Sequence, residues 1–348
     1  MNLDILKRTA QAMVAPGKGI LAIDESHSTC KKRFEAIGVT CNEETRRAYR
    51  GLLVTAPGIE EAISGYIMFD ETLRQKTDDG TPFAEVLNKK GVMPGIKVDA
   101  GAKELALHPG EKVTEGLDGL RERLAEYREL GAKFAKWRAV ITIGNPDATI
   151  GAGGLPSKAC LMANAHGLAR YAALCQEAGL VPMVEPEVLW DGDHTLERCY
   201  EVSAEIWTML FAQLREQGVA PEGTILKTSM VLAGKAAAEK TPDQTVAEQT
   251  VRCLEENVPA KLAGVVFLSG GLSDRDSTAF LNLMNQLPDK KPWPLSFSYG
   301  RGIQRPALEA WGKDQSDIAG AQKLLVHRAK MNGLAARGKW SEKAEQQN

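Results

Sequence analysis

Short apolar runs recur along the chain at regular intervals, and each is followed by a turn signal. Stretches with apolar residues at helical spacing lie between many of these runs. The predicted strands cover residues 19–24, 63–69, 93–99, 134–141, 181–187, 224–230, 264–270 and 294–300. The clearest helical patterns cover residues 42–56, 116–131, 164–179 and 193–218. Eight alternating units of strand and helix are therefore expected.

This alternation is typical of an α/β protein with a (β/α)8 TIM barrel fold. An open, doubly wound sheet is the structural alternative. No linker, low-complexity segment or short repeat divides the chain of 348 residues. We therefore expect a single barrel domain over residues 1–340, followed by a short polar tail over residues 341–348.

The charge balance argues for a small ligand. The chain has 43 Lys and Arg against 45 Asp and Glu, and no block of like charge indicates a nucleic-acid or membrane partner. The N-terminal pattern is an amphipathic helix interrupted by charges, which differs from a signal peptide, and no apolar stretch is long enough to span a bilayer. Six scattered cysteines without a CxxC pair favour free thiols. These features predict a cytoplasmic protein.

Polar residues gather where the predicted strands end, which is where TIM barrels build their active sites. These residues are Asp24, Glu25, Lys97, Asp99, Lys136, Arg138, Glu185, Glu187, Lys227, Ser269, Gly270, Gly300 and Arg301. Side chains two apart in a strand share a face, so the pairs in three of these strands should point into one cavity. Solvated rim charges and structural ion pairs are the alternative interpretations.

Lys227 lies in the middle of the apolar run TILKTSM. Burying an ammonium costs several kcal/mol unless it is paired or loses its proton. It is therefore an edge charge, a salt-bridge partner or a nucleophile. No HxH, HExxH or GxSxG motif supplies a metal site or an acyl-transfer serine. Lys227 is the strongest nucleophile candidate, and no metal or cofactor is expected.

Two glycine-rich segments follow the last two predicted strands, FLSGGLSD at 267–274 and SYGRG at 298–302. Barrels commonly bind phosphate there through backbone N–H groups, and Arg301 could add a bidentate contact. A third segment, GNPDATIGAGGLPSK at 144–158, lacks the spacing of a nucleotide-binding loop and is interpreted as a mobile surface loop.

Seven motifs together resemble the class I, Schiff-base-forming fructose-bisphosphate aldolases. They are GKGILAIDES, GIKVDAG, GAKFAKWR, VPMVEPEVLWDGDH, GTILKTSMV, VFLSGG and FSYGR, in this order between about residues 15 and 340. The resemblance implies a barrel enzyme that is a carbon–carbon lyase acting on sugar phosphates without metal or cofactor. It also implies a homo-oligomer, usually a tetramer.

The resemblance also implies roles for individual residues. Lys227 would form the imine with the substrate ketone, and Glu185 would be the general acid and base for that step. Glu187 would hold the local charge network, and Asp24 would take the proton of the C4 hydroxyl. Lys136 would position the substrate and tune the reactivity of Lys227. The C1-phosphate contacts would be Ser269, Gly270, Gly300 and Arg301, and the contacts toward the C6 phosphate would be Ser26, Arg33, Lys97 and Arg138.

Three departures from the family pattern affect this transfer. The loop at 144–158 is longer than in the animal members, which is expected to change access to the site or subunit contacts. Thr228 and Ser229 stand where many members have Pro-Asn, which is expected to alter the tuning of the site. The last tyrosine is Tyr299, whereas animal members end in a tyrosine that assists proton exchange. That proton transfer is expected to use Glu185, another residue or water. A transaldolase-like transferase and a sugar-phosphate-binding barrel without turnover are the rival functions.

Overall fold

A computed structural model describes residues 2–144, 154–288 and 290–346 and contains a closed parallel barrel. The barrel strands are β1 (Gly19–Ile23), β2 (Ile63–Met68), β3 (Met93–Lys97), β6 (Phe134–Ile141), β7 (Val181–Val188), β8 (Ile225–Thr228), β9 (Gly264–Phe267) and β10 (Leu295–Tyr299). Each barrel strand lies next to its neighbour in the chain, and β10 pairs with β1 to close the sheet. The predicted TIM barrel is confirmed, and the open-sheet alternative is wrong.

Helices cover the outside of the barrel. In the described residues they are α1 (Leu3–Met13), α2 (His27–Glu35), α3 (Glu43–Thr55), α4 (Asp70–Arg74), α5 (Phe83–Lys89), α6 (Leu120–Glu129), α7 (Lys158–Glu177), α8 (Leu196–Glu216), α9 (Asp243–Asn257), α10 (Asp274–Gln286), α11 (Arg301–Lys313), α12 (Ile318–Ala335) and α13 (Glu342–Glu345). Their buried faces pack with the outward side chains of the strands in one continuous apolar core. None of the helices described is long and apolar enough to cross a membrane.

The amino-terminal end of the barrel interior is filled by apolar side chains. Leu6, Ala10 and Met13 on α1 pack against inward residues of the strands, including Phe134 and Val181. The Phe134 ring fits only because neighbouring strands carry glycine: a Cβ at residue 95 would lie 2.2 Å from its Cζ atom. Helix α1 therefore closes the bottom of the barrel and leaves the opposite end for a cavity.

Some boundaries differ from the sequence prediction. Helix α7 begins at Lys158, six residues before the predicted start, because Ser157 caps it by accepting from the Cys160 amide at 3.1 Å. A short antiparallel hairpin, β4 (Ala102–Glu104) with β5 (Lys112–Thr114), was not predicted. Its strands are only three residues long, and several of their residues are partly or fully exposed, so they lack an apolar run.

Candidate active site

A cavity of about 510 Å³ opens at the carboxyl ends of the barrel strands. All thirteen predicted site residues line it: Asp24, Ser26, Arg33, Lys97, Lys136, Arg138, Glu185, Glu187, Lys227, Ser269, Gly270, Gly300 and Arg301. Most of them lie at or just after the carboxyl ends of barrel strands, while Ser26, Arg33 and Arg301 lie at or in the helices that follow β1 and β10. Strand alternation brings the charged floor together, because four residues of the apolar inner cluster each lie two positions before a charged one: Ala22 before Asp24, Phe134 before Lys136, Met183 before Glu185 and Ile225 before Lys227.

The floor of the cavity is a row of alternating charges. The Lys227 Nζ atom lies 3.0 Å from Glu185 Oε1, and Lys136 Nζ lies 3.1 Å from Glu185 Oε2. Lys136 Nζ also lies 2.7 Å from Asp24 Oδ2. Lys136, Glu185 and Lys227 are each at least 96 % buried, so water contributes little to solvating their charges. Each ion must therefore be stabilised by its neighbours in this row.

These contacts change the acidity of the buried groups. Burial alone would raise the carboxyl pKa values of Asp24 and Glu185, but the ammonium groups of Lys136 and Lys227 outweigh burial and lower both pKa values. Burial alone would lower the pKa of Lys136, yet Asp24 and Glu185 raise it above its usual range. Both carboxylates are therefore ionised and Lys136 is protonated at neutral pH.

The two lysines differ in the number of carboxylates that hold them. Lys136 lies within ion-pair distance of Asp24 and Glu185, whereas in the described part of the chain Lys227 has that contact with Glu185 alone. Lys136 is thus fixed as a cation, and its charge lies across Glu185 from Lys227. This difference makes Lys227 the better candidate nucleophile.

One side of the mouth is built by two glycine-containing turns. Gly270 and Gly271 have φ angles of +54° and +99°, a conformation that favours glycine. Gly300 precedes α11, which begins at Arg301, so the amide groups of this helix start face the mouth with their partial positive charge. Arg301 makes no ion pair within the described ranges. Burial and, after it, the nearby charge of Arg33 lower the Arg301 pKa.

Cations on the other side of the mouth each have a carboxylate partner. Lys97 Nζ lies 3.2 Å from Asp99 Oδ1, Arg138 donates to Glu187, and Arg33 donates to Glu25. Ser26 caps α2, its side chain accepting from the Thr29 amide at 3.4 Å. An anionic ligand could displace one of these carboxylates from its cation. Both sides of the cavity therefore offer donors to an anion.

A buried network behind the cavity was not predicted. Glu25 Oε2 accepts from Arg50 Nη1 at 2.6 Å, and Glu25 Oε1 accepts from Gln304 Nε2 at 2.9 Å. Tyr49 donates to the Gln304 side chain at 3.2 Å. Ser298 of β10 also lines the cavity, and it was not predicted from the sequence. Ser298 lies two residues before Gly300, so strand alternation could have identified it. The contacts of Gln304 with Glu25 and Tyr49 join residues 279 and 255 positions apart, and no local signal reveals them.

Three other sequence interpretations can be placed. Tyr299 is buried and donates to the Ser277 carbonyl at 2.8 Å, so its hydroxyl is used away from the cavity. Most of the predicted surface loop at 144–158 lies outside the described residues, which resume at residue 154. All six cysteines are free thiols, and no group of three or more His, Cys, Asp or Glu in the described ranges could hold a metal ion.

The chain is similar to known proteins over nearly its whole length. The family described as fructose-bisphosphate aldolase class-I matches residues 5–348. A probable fructose-bisphosphate aldolase class 1 from Xanthomonas campestris pv. campestris is 60 % identical over 341 residues, which cover 98 % of this chain and 99 % of the relative. Fructose-bisphosphate aldolase 4, cytosolic, from Arabidopsis thaliana is 50 % identical over 93 % of this chain and 80 % of the relative.

The fold matches a solved structure. Fructose-bisphosphate aldolase from Plasmodium falciparum, crystallised with TRAP and a small-molecule inhibitor, superimposes with a TM-score of 0.93 and 45 % identity. The match covers 97 % of this chain and 95 % of the other chain. Sequence and fold therefore agree on one family, and the cavity described above lies where barrel enzymes of all kinds hold their active sites.

Proposed function

The chain belongs to the class I fructose-bisphosphate aldolase family, and from this premise we propose the roles of the residues in the cavity. It is a carbon–carbon lyase that reversibly cleaves fructose 1,6-bisphosphate to dihydroxyacetone phosphate and glyceraldehyde 3-phosphate through a lysine Schiff base. The observation that supports our assignment is the row Lys227–Glu185–Lys136–Asp24, in which only one of two buried lysines is held by a single carboxylate.

Lys227 is the residue that forms the imine in this proposal. Glu185, 3.0 Å away, takes a proton from the Lys227 ammonium so that the neutral amine can attack the C2 ketone. The attack moves an N–H proton to the ketone oxygen and gives the carbinolamine, and Glu185 then returns its own proton to the carbinolamine hydroxyl, which leaves as water. The product is a protonated imine; two protons of the Lys227 ammonium have left with the ketone oxygen as water, and Glu185 is ionised again.

Asp24 serves the bond-breaking step. Its ionised carboxylate takes the proton of the C4 hydroxyl, and the electron pair of the C3–C4 bond moves into the protonated imine to give a neutral enamine. Glyceraldehyde 3-phosphate leaves as the aldehyde. The enamine then takes a proton at C3 from Glu185, another residue or water, and that donor regains a proton from Asp24, which is ionised again. Hydrolysis of the imine releases dihydroxyacetone phosphate and restores Lys227.

Lys136 and Glu187 support this chemistry electrostatically. Lys136 remains protonated between Asp24 and Glu185, so it stabilises both carboxylates and positions the substrate between them. Glu187 neutralises Arg138 at the wall of the same cavity. Replacing either group would alter the charge balance of the cavity floor and wall.

The two phosphates occupy the mouth. Ser269, Gly270, Gly300 and Arg301 bind the C1 phosphate, supported by the helix start and by the absence of a carboxylate partner on Arg301 among the described residues. Ser26, Arg33, Lys97 and Arg138 bind toward the C6 phosphate. Because the charge of Arg33 is close enough to lower the Arg301 pKa, the Arg33 guanidinium can contact either the C6 phosphate or the C1 phosphate.

Assembly and location extend the same premise. The family resemblance supports a homotetramer, and light scattering of the purified protein would measure its mass. Curated plant relatives carry the names cytosolic and cytoplasmic, and we infer the cytoplasm as the location of this chain as well. The single-domain division with a polar tail at 341–348 belongs to the same proposal.

The assignment of Lys227 can be tested by trapping the imine. The purified protein, treated with EDTA, is incubated with dihydroxyacetone phosphate and borohydride, and peptide mass spectrometry maps the added mass. We expect one stable adduct on the peptide that contains Lys227 and none in the matched variant Lys227→Met. An adduct on Lys136, or none in folded protein, would contradict the assignment.

A further inference from the structure

The C-terminal segment is anchored by a buried ion pair outside the catalytic cavity. Glu345 on α13 accepts from Arg328 on α12, and the two side chains are 7 % and 4 % exposed. Glu345 Oε2 also accepts from Trp340 Nε1 at 2.8 Å. The Trp340 amide donates to Asn282 Oδ1 on α10 at 2.9 Å. A carboxylate buried in this way is costly unless its partners stay in place, so the pair fixes the segment on the barrel wall.

Arg328 links this segment to the start of α10. Its Nη2 atom donates to the Asp274 carbonyl at 2.8 Å and to Thr278 Oγ1 at 2.6 Å. Asp274 is the first residue of α10, and the helix is capped by Ser273, whose side chain accepts from the Asp276 amide at 3.0 Å. Arg328 thus holds the start of α10 on the side that faces α12. The turn that precedes α10 contains Gly270 and Gly271 and lies at the cavity mouth.

Asp274 also connects α10 with α11. Its Oδ1 atom accepts from Arg305 Nη2 at 2.8 Å, and Arg305 lies one helical turn after Arg301. The two helix starts are closely packed, since a Cβ at residue 302 would lie 3.2 Å from Ser277 Oγ and 3.4 Å from Ser269 Cβ. A shift of α10 would therefore displace both turns that carry the C1-phosphate donors, the one with Gly270 and the one with Gly300.

We propose that Glu345 is a positioning residue for the phosphate site, acting through Arg328, Asp274 and Arg305 without touching the substrate. This inference rests on the proposed C1-phosphate role of Ser269, Gly270, Gly300 and Arg301. None of the four linking residues contacts the row of charges on the cavity floor. The link therefore sets the affinity for phosphate and leaves the carbon chemistry to the floor residues.

The test compares two carboxylates of the same short helix. Glu345→Gln removes the buried charge, whereas Glu342→Gln, the matched control, alters an exposed carboxylate that lies 3.3 Å from Arg275. In each full-length variant we would measure KM and kcat for fructose 1,6-bisphosphate and the inhibition constant of inorganic phosphate. We expect Glu345→Gln to raise KM and the inhibition constant by about fivefold, with kcat changed less than about twofold. The control should match the parent protein.

A second variant covers the case in which Glu345→Gln does not fold. Arg305→Ala cuts the same link at a side chain that is 46 % exposed, so its fold should survive, and the same rise is expected. A lower melting temperature with unchanged KM and inhibition constant would overturn the inference and leave the pair a structural anchor. Arg301→Ala separates the two proposals: if it leaves phosphate inhibition unchanged, the phosphate assignment fails and this inference fails with it. An effect of Arg301→Ala alone overturns only the positioning role.

Discussion

The two ends of the barrel interior are made by the same strands but by opposite chemistry. At the amino-terminal end, Phe134 and Val181 pack with α1 in a closed apolar layer. Further along the same strands, Lys136 and Glu185 form part of the charged cavity floor. Strand alternation places both sets inward, so the geometry of the backbone is common to the two ends and only the side chains differ.

The barrel can hold buried charges at one end because the apolar residues elsewhere stabilise the fold. The apolar base and the helices around the wall supply the burial that stabilises the fold, since each fully buried large apolar side chain contributes about 1.5–3 kcal/mol. The cavity floor concentrates ions whose desolvation costs offset much of their mutual attraction. Changes at the base should therefore affect mainly stability, and changes at the floor mainly catalysis.

The largest expected effect comes from Lys227→Met at the cavity floor. Without the amine no imine forms, so kcat for fructose 1,6-bisphosphate should fall on the order of 10⁴-fold or more. Glu185 keeps Lys136 as a partner at 3.1 Å, and the new side chain is apolar and of similar length, so the fold should be retained. Steady-state kinetics and a thermal melt measure the two quantities.

The control for this variant is Lys97→Met, which removes another cavity lysine that lies 3.2 Å from Asp99. It should raise KM because an anion-binding group is lost, yet it should still form the borohydride-stable adduct. If both variants lost the adduct equally, a general disturbance of the cavity would explain the data better than a nucleophilic Lys227.

At the apolar base, Leu6→Ala should lower the free energy of unfolding by about 2–5 kcal/mol, because it leaves a cavity where α1 packs against the strands. The kcat of the folded fraction should change less than about twofold. Ile5→Ala is the matched control, since Ile5 precedes Leu6 on the same helix but is 48 % exposed, and its truncation should cost little stability. Chemical denaturation with parallel assays would reveal whether base and floor are separable; equal losses of kcat and stability would show that they are not.

The strands of this barrel were predictable because they are buried on both faces and read as apolar runs. Their ends were less so. The predicted sixth strand reaches residue 230, but β8 ends at Thr228. Beyond it, the Val231 amide donates to Thr250 Oγ1 at 3.0 Å and the Leu232 amide to Cys199 Sγ at 3.4 Å, so side chains replace the sheet as partners. Such partners come from distant helices and leave no local signal.

The site residues were predictable for a related reason. Charges at alternate positions of apolar strands are costly unless they meet, so Lys136 and Glu185 could be expected to face one cavity. What the pattern lacks is the pairing itself. The contact of Arg50 with Glu25 and that of Glu345 with Arg328 join residues 25 and 17 positions apart, and both depend on tertiary packing that no strand or helix repeat reveals. These are the parts of the molecule that required the structure.

The smallest expected effect concerns the pH dependence of stability. The Asp24 pKa lies below its ordinary value of 3.8 in the folded protein, because Lys136 and Lys227 outweigh the cost of burial. Its contribution is therefore present above pH 4 and is lost as pH falls through and below that value, where the unfolded chain takes up a proton that the folded carboxylate refuses. Asp24→Asn should be less stable than the parent by about 1–3 kcal/mol at pH 6, and the two curves should approach each other progressively as pH falls below 4.

Salt concentration separates the floor from the protein surface in this measurement. Exposed pairs such as Arg121 with Glu177 are screened in about 1 M salt, whereas the pair of Asp24 with Lys136 is shielded from solvent ions. The difference between parent and Asp24→Asn should therefore persist at high salt, measured by urea denaturation across the pH range. A difference that vanished with salt would mean that Asp24 is solvated like a surface carboxylate, and the contrast between an apolar base and a desolvated charged floor would not hold.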